Sequence, residues 1–506
     1  MTKFIRFQFL LFSSFFTLFV VGCASMPTEE YLAHLDAEDY KPCISHLEKK
    51  NSKESNNDRI RDNFDIAMMK HYQKDYDSSL QILNETDHLM DDAVTQSITK
   101  GFASVFGNDN ADEYKGNPYE YVYINIFNAL NYYNKGDVEE AAVEVRRLNE
   151  KQQKYLNDYG EWISKDNSKI EIPDTYKKLA LDTDKLIAST PKKPTESDIF
   201  RDSATARYLS IVFANMDDSI NNSWNIEADS RTLKALNPSF DVDSEAEIPS
   251  GMGRLDILAF SGLIGRRGER RIRIGPFPGI QFPTGRNFVY IPAFDLEFVY
   301  PEFPAPQTVL RPQLVPTFGY GPSFTIYPGK NEIIKMPDNQ VEKITVTITS
   351  GKSLPNQTIS LSLLEDFNYA VQKDVNSKAL KAYSRSVKRS MTKKFTAVAG
   401  ATATLLLAEE ALKREENIFT IAAYATTYLT AAKASDQIDR TETADIRQVY
   451  ALPSQSYAGG FELPEGIYSL KVQYFSKKGA ILKEEHFSNI KVRNGKTVLV
   501  ESSCQK

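Results

Sequence analysis

Residues 119–153 read YEYVYINIFNALNYYNKGDVEEAAVEVRRLNEKQQ, and their spacing decides the fold of the N-terminal half. Ala129, Tyr132, Ala141, Val145 and Leu148 keep a helical period on either side of Gly136. Small residues at 129 and 141 let two antiparallel helices approach, and Gly136 supplies the turn between them. The earlier segment 66–83, IAMMKHYQKDYDSSLQIL, aligns with it at an offset of 62 residues. Ile66, Ala67, Asp75, Ser79 and Leu83 then match, and Lys70 stands where the later copy has Tyr132. A third, degenerate copy spans 204–224 and carries Met216-Asp217-Asp218-Ser219 at its turn. Repeated helix pairs of this kind stack so that neighbours bury a shared core.

The spacing is that of a tetratricopeptide (TPR) repeat, with Asn125 and Asn128 where such a repeat places large apolar residues. The offset of 62 in place of 34 means that sequence is inserted between copies. In the TPR register Tyr123, Phe127 and Tyr133 face the concave side of the helix pair, where such arrays bind peptides. Tyrosine adds contact area with a polar tip, so these three rings are the expected partner-binding residues.

Composition changes after Pro238. Eleven of the 23 prolines fall between Pro276 and Pro328, a density that breaks helices and interior strands. That stretch is expected to be a long extended excursion inside a β region. Residues 341–349, VEKITVTIT, and 359–364, ISLSLL, read as strands, and helix is expected from Glu365 to about Ala434. Within it, Phe395–Ala408 and Ile418–Ala432 are rich in Ala and Thr but shorter than the ~20 residues a membrane span needs. They predict a packed helical hairpin. The C-terminal runs YSLKVQYF and HFSNIKVRNGKTVLVES alternate as half-buried antiparallel strands do. The fold class expected is therefore α+β: an N-terminal TPR-like helical array, then a β-sandwich-like domain with a helical-hairpin insertion. The boundaries are a leader over 1–22, a helical domain over 23–238, a Pro-rich β region over 239–364, the hairpin over 365–434 and completing strands over 435–506.

The chain opens MTKFIRFQFLLFSSFFTLFVVGCASM, with Lys3 and Arg6 as the only charges before Cys23. The apolar stretch from Phe7 to Val21 has the length of a signal-peptide core. Val20-Val21-Gly22-Cys23 resembles a bacterial lipobox, at which a signal peptidase cuts before a lipid-modified Cys. Processing there moves the net charge from −6 to −8 and attaches the protein to a membrane through acyl chains on Cys23. In enteric bacteria an Asp after that Cys retains a lipoprotein in the inner membrane, so Ala24 points to the outer membrane, facing the periplasm. An oxidising periplasm and two remaining thiols suggest a Cys43–Cys504 disulfide.

Chemistry is harder to find. HExxH, GxSxG and a P-loop are all absent, since Val346 replaces the glycine that Gly351-Lys352-Ser353 needs upstream. His34, Cys43 and His46 have irregular spacing and no fourth ligand, so neither a metal nor a cofactor is implied. The acidic balance gives no reason to expect nucleic acid as a partner. Arg266, Arg267, Arg270, Arg271 and Arg273 form one basic cluster, a candidate anion site for a headgroup or an acidic protein, with Glu269 among them. The sequence thus predicts a non-enzymatic protein.

The combination resembles an uncharacterised family of bacterial envelope lipoproteins with TPR-containing N-terminal halves. The lipobox, ALNYYNKGDVEEAAVEVRRLNEKQ at 129–152, LLEDFNYAVQKD at 363–374, ADIRQVYALPSQ at 444–455 and the strand after LPEGIY carry the likeness. It implies envelope maintenance or assembly: an interaction scaffold for an envelope protein, or an assembly factor for a peptidoglycan synthase or exporter. An envelope hydrolase with a carboxylate pair is the remaining alternative.

Overall fold

A computed structural model describes residues 29–53, 56–100, 113–152, 190–216, 223–242, 248–277, 280–284, 287–291, 294–303, 308–310, 313–319, 321–327, 331–333, 337–350, 357–414 and 443–506. Mixed helices and sheets make it an α+β structure. Helices α1 (Glu29–Asp36), α2 (Tyr40–Asn51), α3 (Arg59–Tyr72), α4 (Tyr76–Lys100), α5 (Pro118–Asn134) and α6 (138–152) come first. They are followed by α7 (Ala204–Met216) and α8 (Ser223–Leu236).

The repeat at an offset of 62 is real at the level of hydrogen bonds. At the end of α3 the N–H of Asp75 bonds the carbonyl of Lys70, and at the end of α5 that of Asp137 bonds Tyr132. Each aspartate then accepts a backbone N–H of the following helix, Asp75 from Ser78 and Asp137 from Glu140. The turn residue is left-handed in both copies: Gly136 at φ +89 and Lys74 at φ +62. This is a helix stop that favours glycine, and the first copy makes it with lysine at a cost of about 1 kcal/mol. Ser79 stands at the small-residue position of Ala141, and its hydroxyl bonds the Ala67 carbonyl at 2.8 Å.

The strands form two four-stranded sheets. The first has the order β12 (Ser362–Asp366), β13 (Pro453–Leu463), β1 (Gly253–Leu263), β16 (Thr497–Cys504). The second is β11 (Thr358–Ser360), β10 (Val341–Ser350), β14 (Gly466–Ser476), β15 (Ile481–Val492). Strand β1 pairs β13 antiparallel and β16 parallel. Every residue of β1 is buried, because both its faces are covered. Leu255, Ile257 and Ala259 face a core shared with Ile344, Val346, Leu470 and Val472 of the second sheet. Leu258 and Phe260 face a core shared with the helices. The result is three layers: helices, first sheet, second sheet. The boundary at 238 thus divides the chain but not the core, which runs on from the helices into β1, β13 and β16.

Outside these layers lie two-stranded ribbons: β2 (Gly268–Phe277) with β5 (Phe294–Glu302), β3 (Ile280–Thr284) with β4 (Asn287–Ile291), β6 (Thr308–Leu310) with β9 (Asn331–Ile333), and β7 (Gln313–Gly319) with β8 (Gly321–Tyr327). Helix α9 (Phe367–Arg414) follows β12 and has 48 residues, so it is about 72 Å long at 1.5 Å per residue. Its first half packs on β5, where Tyr383 meets Phe298 and Tyr300. The second arm of the expected hairpin, including Ile418–Ala432, lies outside the described residues. No helix among the described residues is long and apolar enough to cross a membrane.

Candidate functional site

The three rings expected on an open concave face do lie together, but that face is filled by the chain itself. Tyr123 and Phe127 are 1% and 0% exposed. The Tyr123 hydroxyl donates to Glu365 Oε1 at 3.0 Å, and its ring meets Phe367 edge-on at 4.6 Å. Phe127 packs on Phe260 of β1 at 5.4 Å. Tyr133 bonds the Leu499 peptide in β16 and packs on Phe213. Tyr123 and Phe127 are core of the helix–sheet seam and Tyr133 packs half-buried against it with its hydroxyl spent on β16, so the partner-binding role expected of them is corrected accordingly. The physical reason is that the first sheet has two apolar faces, and the helical layer supplies the cover for one of them.

Three carboxylates stitch that seam, Asp65 and Glu120 buried and Glu365 half-buried. Asp65 on α3 accepts the backbone N–H of Tyr450 at 2.7 Å and of Ala451 at 2.8 Å. Glu120 on α5 accepts that of Val449 at 2.9 Å while bonding the Asn117 N–H at 2.8 Å as its own helix cap. Glu365 on β12 accepts from the Ser203 hydroxyl at 2.6 Å and the Thr205 N–H at 2.8 Å, capping the start of α7. Burial pushes the Asp65 carboxyl up to about 7, against the pull of the Ala451 and Tyr450 amides and of Arg61. Burial likewise raises Glu365, against its four hydrogen-bond donors. The extended segment 443–452 therefore has backbone donors satisfied by carboxylates from helices where a strand would use a neighbouring strand. The stretches 363–374 and 444–455, which the sequence singled out separately, meet here.

The arginine cluster is spent on the same architecture. Arg266 pairs with Asp36 at 2.5 Å, Arg267 with Asp374 at 2.6 Å, Arg270 with Glu302 at 2.8 Å, and Arg271 with Glu269 and Glu297. Arg267 also lies over the Tyr119 ring, and both are fully buried. Arg266 and Arg267 are buried, Arg271 is mostly so and Arg270 is exposed, but all four guanidinium groups are already matched to carboxylates, which corrects the anion-site expectation for them. The side chain of Arg273 lies outside the described residues, as does Cys23.

Cys43 and Cys504 are both free and buried, which corrects the expected disulfide. Cys43 belongs to the helical core and its thiol faces the Tyr31 carbonyl at 3.5 Å, whereas Cys504 belongs to the core between the sheets. Burial pushes the Cys43 thiol up to about 12 and raises that of Cys504. His34, Cys43 and His46 are not gathered: His34 pairs with Asp39 and His46 lies against the Tyr31 ring. Among the described residues no group of three such side chains could hold a metal ion.

A polar cleft between the sheets is lined by Asn339, Glu342, Asn368, Ser454, Gln455 and Lys477. The Asn339 amide is committed within it, donating to Ser261, Ser454 and Gln455. No family model, no curated protein and no solved structure matches the chain.

Proposed function

We propose that this chain is a lipid-anchored protein of the bacterial envelope, held by Cys23 and facing the periplasm, that acts as a non-catalytic scaffold for another envelope protein. In this reading a TPR-like array is docked on a sandwich-like β domain. The observation that carries the scaffold reading is the way the buried charges are used. Asp65, Glu120, Glu365, Arg267 and Asp374 all bond groups of a different element, so the chemistry-bearing side chains weld one rigid body. Partner docking then falls on what the layers leave over: the ribbons β3–β4, β6–β9 and β7–β8, which join neither four-stranded sheet.

The experiment is photo-crosslinking in the native cell, with the reactive residue placed in turn at Val289, Val315 and Thr325 on the ribbons and at Glu484 on β15. Capture of one stoichiometric partner from the ribbon positions but not from Glu484 supports the reading. Cys23→Ser should abolish palmitate-analogue labelling and that capture together. Labelling that survives the substitution removes the anchor, and turnover of an envelope polymer by the purified chain removes the scaffold.

A further inference from the structure

Buried between the helical layer and the first sheet is one histidine whose bonding partners leave its ring no choice of protonation. The Ser79 hydroxyl donates its hydrogen to the Ala67 carbonyl, so it can only accept from Asn131. Asn131 Nδ2 supplies that bond at 2.9 Å, which turns Asn131 Oδ1 toward His71 Nδ1 at 2.7 Å. On the other side of the ring His71 Nε2 lies 2.6 Å from Glu501 Oε1, and Glu501 Oε2 accepts from Asn134 at 2.5 Å. Both ring nitrogens thus face acceptors. Beside an ionised Glu501, the ring must therefore carry a proton on both nitrogens, one more than a neutral imidazole holds.

We propose that His71 and Glu501 form a proton-locked latch that holds strand β16 against helices α3 and α5 and releases it as pH rises. The chain of bonds runs from α3 through α4 and α5 to β16. No other donor can replace the proton, because both side chains of the pair are at most 7% exposed. Loss of the proton sets two lone pairs against each other in a site closed to water, and such a contact is costly.

The groups around the ring fix the sign. From its own helix Tyr72 meets it edge-on, from α4 Tyr76 does the same, and from α5 come Phe127, Asn131 and Asn134. From β16 comes Glu501, and beyond it on β15 lies Glu485, which is matched by Lys74 and Lys483. Burial lowers the pKa of His71, but the charge of Glu501 and the bonds from Glu501 and Asn131 outweigh it, so the net shift is upward. A group raised in this way stabilises the fold fully below its unfolded value of about 6.5, and that stability is lost as pH climbs through the folded value. Within that window the unfolding equilibrium constant should rise about tenfold per pH unit on account of this one proton.

The test uses the intact chain labelled with ¹⁵N-histidine. Just above the free-imidazole value of about 6.5, one of the five histidines should still show two protonated ring nitrogens. Glu501→Gln should shift that titration downward by at least about one unit, a tenfold loss in proton affinity. Hydrogen exchange at Leu499–Ser502, corrected for intrinsic rate, should accelerate through the same titration. His71→Gln should fold with exchange there that no longer depends on pH. If that variant does not fold, Glu501→Gln and the wild-type titration decide alone. A ring that titrates at or below the free-imidazole value of about 6.5, or exchange in β16 unmoved by the titration, overturns the latch.

Discussion

The hydroxyl of Tyr133 engages both backbone polar groups of one residue in the sheet: it donates to the Leu499 carbonyl at 3.0 Å and accepts from the Leu499 N–H at 2.9 Å. Strand β16 is the edge of the first sheet, so these are groups that a further strand would have paired. A single phenol on α5 stands in for that strand. The edge is closed by the helical layer, and the same contact fixes the height of α5 along β16.

Replacing Tyr133 with Phe keeps the ring against Phe213 and removes both bonds. Two backbone groups at a buried seam are then left unpaired, each costing about 1–3 kcal/mol. Urea unfolding should show a loss of ~2–4 kcal/mol with an unchanged slope. A loss below about 0.5 kcal/mol would mean that water satisfies the edge and that the contact is incidental.

The turn after α3 gives a prediction of the opposite sign. Lys74 holds a left-handed conformation that Gly136 holds without strain in the second copy. Lys74→Gly should stabilise the protein by about 0.5–1 kcal/mol, reduced by loss of the exposed contact to Glu485. Gly136→Lys should destabilise it by about as much. If both substitutions shift the melting temperature in the same direction, the two turns are not equivalent.

The difference between what was legible and what was not follows from the range over which each interaction acts. The helix pairs show in the sequence because Gly136, Ala129 and Ala141 act within one turn of the chain. Strands β10, β14 and β15 show because one face is wet and the residues alternate. Strand β1 was hidden, since RLDILAFSGL is buried on both faces and has no alternation to read. The seam was hidden for a different reason. Asp65 bonds residues 385 and 386 positions away, Glu120 one 329 away and Glu365 one 160 away, and no local spacing encodes such pairs. One signal was available: Asn117-Pro118-Tyr119-Glu120 is a helix-start pattern with its acid at the third position. The tyrosines could not be assigned from sequence, because a concave face filled by a partner and one filled in cis carry the same rings.

Asp65 makes stability fall with pH over the acid-to-neutral range. Its folded value of about 7 lies above the ordinary ~3.9, so the folded state binds the extra proton between those values. Stability from this group is therefore greatest below about pH 4 and declines as pH rises toward 7. Asp65→Asn keeps an oxygen for the Tyr450 and Ala451 amides and removes the titration. The variant should show a flatter stability profile between about pH 4 and 7 than the wild type, measured by denaturant midpoints at fixed ionic strength. An unchanged slope would place the ionised form of Asp65 in the folded protein throughout, held by the amides and Arg61.

The two thiols give the last prediction, and it separates a buried pair from a bridged one. A thiol reacts as its thiolate, and burial has moved Cys43 up to about 12. Against an ordinary value of about 8.5, that reduces the thiolate fraction near neutral pH by roughly three orders of magnitude, before any loss of access is counted. Cys504 is raised as well and is 0% exposed. A small alkylating reagent should therefore leave both residues unmodified in the folded chain under oxidising conditions. Both should react at once in guanidinium without a reductant. The absence of any need for reductant is the decisive part, since a disulfide would also protect both residues in the folded state but would keep protecting them after unfolding. Recovery of the Cys43 and Cys504 peptides joined in a non-reducing digest would sink the free-thiol assignment, and would require α2 and the end of β16 to sit closer than the present packing holds them.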